Sequence, residues 1–307
     1  MKIAVFGGSG FIGRNLVGQL ALEGAHVILV SRSRRSSQHG ERCATWEELE
    51  RDASALEGCD AFVNLTGETI NQRWSKEGKR RILQSRLDAV ERIGALIDML
   101  DNKPEALVSS SGMSIYGYSD TDTFDERSGE RLTDFLADTV HKWEQAVDRI
   151  QGVRIVKLRI GLVLGMDGGA FPPMSLPFRM FVGGRVGSGK QVHSWIHISD
   201  MIGIIRYCID HRDIVGAVNC TAPHPATNDE FGRALAAAAG RPYWMPVPSF
   251  MLKLLFGEMS ELLLKGQRVL PHTIVTHGYT FRYPELEAAL QQLLRDGRNN
   301  ASYIKKG

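Results

Sequence analysis

The sequence has little with which to hold a metal or cross a membrane. Its four cysteines, Cys43, Cys59, Cys208 and Cys220, lie far apart and form no metal-spaced pair. They read as reduced thiols of a cytoplasmic protein, and no metal site is expected. No apolar run approaches the roughly 18 residues that a membrane span needs. Met1 leads directly into the strand-like KIAVF, which leaves no room for a signal peptide. Charge of one sign is also lacking: Lys and Arg number 37 against 35 Asp and Glu, a net +2. That balance favours neither nucleic acid nor an acidic membrane, and no stripe of alternating aromatic and basic residues suggests otherwise. Internal repeats and low-complexity tracts are absent. The most apolar late stretch, FMLKLLFGEMSELLLKG (250–266), is broken by Lys253, Gly257, Glu258 and Glu261. It is expected to form a pair of helices packed into a core or against the other lobe.

What is present is a βα alternation. KIAVF (2–6), HVILVS (26–31), AFVNLTG (61–67), EALVSSS (105–111) and VRIVKLRIGLVLG (153–165) read as buried strands. FIGRNLVGQLALEG (11–24), residues 75–100 and about 132–150 have the apolar spacing of helices. Repeated βα units predict an α/β fold, a doubly wound parallel sheet whose ligands lie beyond the C-terminal strand ends. Residues 1–165 are assigned to a dinucleotide-binding lobe, with 195–222 returning to its sheet. Residues 166–194 and 223–307 are assigned to a smaller, mostly helical lobe covering the substrate.

The first strand runs into GGSGFIG (7–13) and then into a helix. Gly7, Gly8, Gly10 and Gly13 fit both common dinucleotide spacings. Glycine permits the tight turn and the close approach of backbone to a pyrophosphate, which the helix N-terminus attracts. Ser9, Phe11 and Ile12 complete the cofactor loop. About 20 residues on, an NAD site places an acid against the ribose hydroxyls. Here Ser31 and Arg32 stand at the strand end, followed by Arg34 and Arg35, and no carboxylate occurs before Glu41. A guanidinium there suits a 2′-phosphate, so NADP(H) is the expected cofactor. Arg34 and Arg35 read as a solvated loop.

Together GGSGFIG, NLTGE (64–68), SSSGMSIYG (109–117), RIGLVLG (159–165) and WIHISD (195–200) resemble the extended short-chain dehydrogenase/reductase superfamily. HKWE (141–144), PFRMFVGGRVGSGKQ (177–191) and residues 246–290 resemble its atypical branch, the NAD-dependent epimerase/dehydratase-like "epimerase family" proteins with a C-terminal domain of unknown function. The resemblance spans nearly the whole chain. It implies a Rossmann-type lobe, NADP(H), and cofactor contacts from Leu65, Thr66, Gly67, Ser109, Lys142 and Gly161. The superfamily uses a Tyr and, four residues later, a Lys. TDFLADTVHKWEQAV (133–147) contains no Tyr. One register puts Leu136 and Val140 in the two slots, with Glu144 following; the other puts Asp138 opposite Lys142. The Arg-Asp pair of nucleotide-sugar members is replaced by His193 and Ser194, which argues against a nucleotide-diphosphate sugar.

The remaining candidates for chemistry are Ser111, which would polarise a substrate oxygen or simply pack near the nicotinamide, and Tyr116 or His193, either of which would serve as acid. Tyr116 has the alternative of a structural phenol. Lys142 would reach the nicotinamide ribose or pair with Asp138 on the helix surface. Glu68, a possible base, Arg86, Arg185, Lys190 and Trp195 are candidates for substrate contact; Arg86 would alternatively pair with an acid such as Glu68, Arg185 and Lys190 would alternatively belong to a solvated loop, and His197 reads as a buried, hydrogen-bonded histidine. The expected function is an NADP(H)-dependent oxidoreductase or epimerase-like enzyme. It would act on a small polar carbonyl or alcohol, as a monomer or homodimer, without nucleic acid or membrane. The competing expectation is an NADP(H)-binding regulator without turnover.

Overall fold

A computed structural model describes residues 1–34 and 36–304; Arg35 and 305–307 lie outside the described residues. A seven-stranded sheet runs, edge to edge, Gly216–Cys220, Arg154–Ile160, Ala106–Gly112, Ala61–Asn64, Lys2–Phe6, His26–Ser31 and Arg42–Thr45. The pairs from Ala106–Gly112 across to Arg42–Thr45 are all parallel. This is a Rossmann-type, doubly wound arrangement. The strands are continuous apolar runs because both faces are covered. Phe6, Phe62, Leu107 and Trp46 bury together on one side with Ile93 and Ile97 of the helix Lys76–Asp98.

Local signals set the helix ends. Ser75 Oγ accepts from Gly78 N, Asp134 caps Leu136 N and Ala137 N, and Thr45 and Thr227 each close a capping box with a Glu. The helix Phe135–Val147 buries Leu136, Val140, Trp143, Glu144 and Val147, the one-sided pattern of a helix packed on a sheet.

Contacts divide the chain into two compact units, one of residues 1–115, 130–159 and 202–218, the other of 116–129, 160–201 and 219–307. Four elements differ from the sequence-based expectation. The run 153–165 is two strands, Arg154–Ile160 in the main sheet and Leu162–Leu164 paired with Trp195–His197. Gly161 makes the break: a Cβ there would stand 2.3 Å from the Ser194 carbonyl oxygen. The strand at 195–197 therefore does not return to the main sheet, whereas Gly216–Cys220 does. The edge strand Arg42–Thr45 and the helix Trp46–Arg51 carry too few residues to announce themselves by periodicity.

In the second unit, Leu164, Phe171, Trp195, Phe231 and Leu290 share a core with the helices Asn228–Ala239 and Leu286–Ile304. The 250–266 stretch does not become core. Its helix Ser249–Phe256 buries only Leu252, and Phe250, Leu254 and Leu255 are exposed. Hydropathy alone does not distinguish an apolar helix that is covered from one that is not. Among the described residues no helix is long and apolar enough to cross a membrane.

Candidate active site

The registers Phe6↔Asn64 and Asn64↔Ser109 align the C-terminal ends of three adjacent strands. The cofactor-loop glycines, residues 65–67 and Ser109 to Ser111 follow from those ends. Gly7 has φ 77°, and a Cβ on it would lie 2.7 Å from the Leu65 carbonyl carbon and oxygen. Gly10 N donates to Gly7 O at 3.0 Å, closing the turn. Gly10 is also the N-cap of the helix Phe11–Leu22 and supplies no side chain to its first N–H groups. Ser9 and Gly10 are exposed, Phe11 and Ile12 half-buried. The uncapped donors and the helix dipole together leave this end favourable to negative charge.

Along the edge, Asn64 organises the next loop. Its Oδ1 accepts from Thr66 N and from the Thr66 hydroxyl, and its Nδ2 donates to Ser109 Oγ at 3.0 Å. Glu68 is paired by its carboxylate to Arg81 Nε (3.1 Å) and Gln72 Nε2 (3.1 Å). The Arg81 bond holds its pKa below the ordinary carboxylate range, which makes it a poor base. Arg86 does not pair with that carboxylate. It is half-buried, donates to the carbonyls of Glu68 (3.1 Å) and Ile82 (2.7 Å), and lies over the Trp143 ring. Burial pushes its pKa down to about 10. Arg86 shapes the loop rather than standing open to a substrate.

At the other end of the sheet edge, Ser31 Oγ donates to Ser33 O at 2.6 Å, and Arg32 is exposed. Arg34 pairs with Glu48 at 3.4 Å. Glu41, the first acid after the strand, is buried, and its carboxylate accepts from Ser37 Oγ, Gln38 N and His39 N.

The centre of the edge holds a cluster that composition does not reveal. Ser111 Oγ donates to Glu144 Oε1 at 2.6 Å. Arg159 grips the same carboxylate with Nε and a terminal nitrogen, both at 2.9 Å, and Lys157 Nζ lies 3.4 Å from Glu144 Oε2. Ser111, Glu144 and Arg159 are 6%, 3% and 6% exposed. Burial works to raise the Glu144 pKa, but the Arg159 bonds and charge, the Ser111 hydroxyl and Lys157 outweigh it, and the carboxyl is held below its usual range. A carboxylate only accepts hydrogen bonds, so the Ser111 proton is committed to Glu144. The sequence-based role of Ser111 as a donor polarising a substrate oxygen is corrected: it offers lone pairs. Glu144 and Arg159 were missed as site residues. The available signal was Lys157 and Arg159, two cations at i,i+2 on one face of a strand otherwise written for burial.

The cluster also shows which face of the helix meets the strand. Leu136, Val140 and Glu144 face inward, and a Cβ on Gly112 would meet Val140 Cγ2 at 3.1 Å. Lys142 points away: it is about half exposed and pairs with Asp138 at 2.7 Å. Its assignment to the nicotinamide ribose is corrected accordingly. Lys142→Ala is expected to change stability by less than about 0.5 kcal/mol and to leave nucleotide affinity unchanged; a weakened NADPH titration would return Lys142 to the nicotinamide ribose.

Other candidates lie within the second unit. Tyr116 has no exposed surface, stacks on Phe124, and donates to Asn219 Oδ1 at 2.9 Å; it is a structural phenol, not an available acid. Burial pushes the His193 pKa down to about 4, and its Nε2 lies 3.2 Å from Asn228 Nδ2. It is neutral near pH 7 and carries no proton to donate as an imidazolium. Trp195 is fully buried with Nε1 donating to His224 O, a core residue rather than a substrate contact. Gly161 is required by backbone packing against Ser194. Arg185 and Lys190 are exposed loop side chains. His197 is buried, with Nε2 2.8 Å from Gln292 Oε1, and its Nδ1 accepts from Ser199 N.

The family model described as the NAD dependent epimerase/dehydratase family matches residues 3–220. The chain belongs to that family. A domain of unknown function, DUF1731, matches residues 247–293. The "Epimerase family protein YfhF" of Bacillus subtilis is 40% identical over 302 residues, covering 96% of this chain and 99% of the relative. The human "Epimerase family protein SDR39U1" is 40% identical over 300 residues, covering 96% and 100%. A crystal structure of the human protein with NADPH superposes with TM-score 0.88 over 95% of this chain and 99% of that one. A nucleoside-diphosphate sugar epimerase from Corynebacterium glutamicum is 28% identical with TM-score 0.78, covering 96% of this chain and 58% of that one. Within this epimerase/dehydratase family member, Leu136 and Val140 occupy the inward positions of the helix beside Ser111. Neither side chain carries a proton to exchange.

Proposed function

We propose that this chain binds NADP(H) along the C-terminal edge of its sheet and uses it in oxidoreductase or epimerase-like chemistry on a small polar alcohol or carbonyl. The observation that carries this is the closed glycine turn leading into a helix N-terminus left uncapped. Gly7, Gly8, Ser9, Gly10, Phe11, Ile12 and Gly13 would hold the pyrophosphate, and Leu65, Thr66, Gly67 and Ser109 would border the rest. Arg32 would take the 2′-phosphate, since Ser31 spends its proton on a neighbouring carbonyl. Glu41, the first acid after the strand, is turned into its own loop and is unavailable to a ribose hydroxyl. The NADPH in the human relative supports the same reading. Bound there, the cofactor supplies a hydride donor or acceptor. The protein is read as cytoplasmic, monomeric or homodimeric, with a small-molecule substrate and neither nucleic acid nor membrane as partner.

A second reading, an NADP(H)-binding regulator without turnover, is supported by the helix Phe135–Val147, which turns Leu136 and Val140, and no Tyr, toward the strand that carries Ser111. Thermal-shift titration with NADPH, NADP+, NADH and NAD+ tests the shared premise. Nucleotide at 100 times its Kd adds about 2.7 kcal/mol to folding stability. The phosphorylated pair is expected to stabilise the protein at lower concentration, and Arg32→Ala to weaken NADPH roughly tenfold while sparing NADH. A tighter titration by NADH sinks the cofactor assignment.

A further inference from the structure

The Ser111, Glu144 and Arg159 cluster says which kind of chemical group belongs against the strand end. A serine hydroxyl has one proton and two lone pairs. Here the proton goes to a carboxylate 2.6 Å away. Glu144 does not turn to release it, because two Arg159 nitrogens hold its two oxygens at 2.9 Å each. Lys157 stands behind and is itself anchored to Asp148 at 2.8 Å. The group arrives already polarised, with only lone pairs left to offer.

We infer that Glu144 is a positioning residue that fixes Ser111 as a hydrogen-bond acceptor, so that the ligand group seated on Ser111 is a hydroxyl and not a carbonyl. This rests on the proposed site at the same strand ends. It narrows the substrate class from alcohol or carbonyl to the alcohol. It also gives the helix a task in place of the missing Tyr: the helix supplies an anion that sets the direction of the Ser111 hydrogen bond.

The test uses the full-length protein saturated with NADP+ and two probes of matched shape, 2-propanol and acetone. Binding is followed at the Ser111 and Gly112 backbone amides by NMR. Wild type is expected to bind 2-propanol about fivefold more tightly than acetone at this site, the ratio that one net hydrogen bond supports. Glu144→Gln places an amide N–H within reach of Ser111 Oγ and frees the serine proton, so the preference should vanish or invert. A merely structural role for Glu144 would weaken both probes together and leave their ratio alone. Should that variant not fold, Ser111→Ala removes only the hydroxyl and must erase the preference. Acetone binding as well as 2-propanol in wild type, neither probe binding at Ser111, or an unchanged ratio in the variant that folds, overturns the inference. Because NADP+ stabilisation is measured separately, any of these results leaves the cofactor reading standing.

Discussion

Arg159→Met is expected to destabilise the protein by about 3 kcal/mol at neutral pH, near the lower end of what breaking a buried ion pair costs. The substitution keeps most of the volume and removes the guanidinium. Glu144 is then left 3% exposed, with Lys157 at 3.4 Å as its remaining counter-charge. Lys157 is why the cost falls toward the lower end. The pH dependence has a definite sign. In the wild type the Glu144 pKa is depressed on folding. Its contribution is therefore fully present above the unfolded value, about 4.3, and is lost as pH falls through the folded value. In the variant, burial dominates and the folded pKa rises above the unfolded one. The penalty is then present above that raised value and disappears as pH falls and Glu144 protonates in both states. Urea unfolding of both proteins at pH 7.5 and pH 4.5 should show the stability gap narrowing on acidification. A gap that stays constant, or a variant as stable as wild type at pH 7.5, contradicts the buried ion pair.

The second large effect is at the glycine turn. Gly13→Ala is expected to weaken NADPH by at least about 100-fold, roughly 2.7 kcal/mol. A Cβ on Gly13 would stand 2.5 Å from both Gly7 O and Gly8 Cα. Those are backbone atoms and do not rotate aside, so the helix must move off the turn. That movement opens the cradle between the turn and the first helical N–H groups. The fold should survive at a cost of about 1–3 kcal/mol, because Leu16, Val17 and Leu20 keep the helix buried. Calorimetric titration of the folded variant with NADPH reads the effect directly. Wild-type affinity would show that this turn is not the nucleotide cradle.

Each sequence signal that held was local and periodic. The strand HVILVS is observed as His26–Ser31, and the long helix expected over 75–100 is observed as Lys76–Asp98 with Ser75 as its cap. The run 153–165 misled because Gly161 looks like any strand glycine until the Ser194 carbonyl is seen against it. The exposed helix Ser249–Phe256 misled because the run of apolar residues says nothing about whether another surface covers it. Tyr116, His193 and Lys142 are the groups of suitable chemistry that the sequence offers nearest the site. Their availability depends on Asn219, Asn228 and Asp138, which supply partners only once the chain is folded.

The sequence by itself determined the alternating βα frame, the family, the dinucleotide turn and the absence of the Tyr and Lys pair. The frame and the turn follow from spacing within about a dozen residues, where chain geometry dictates neighbours, and the family follows from the resemblance of several separated motifs. Tertiary structure alone decided which way the helix Phe135–Val147 faces, and therefore that Glu144 rather than Lys142 meets the strand end. It also decided that Arg159, 15 residues later, closes on that carboxylate, and that Ser111 spends its proton there. A hydrogen bond's direction depends on which charges share a buried space, and that sharing is fixed by packing between elements.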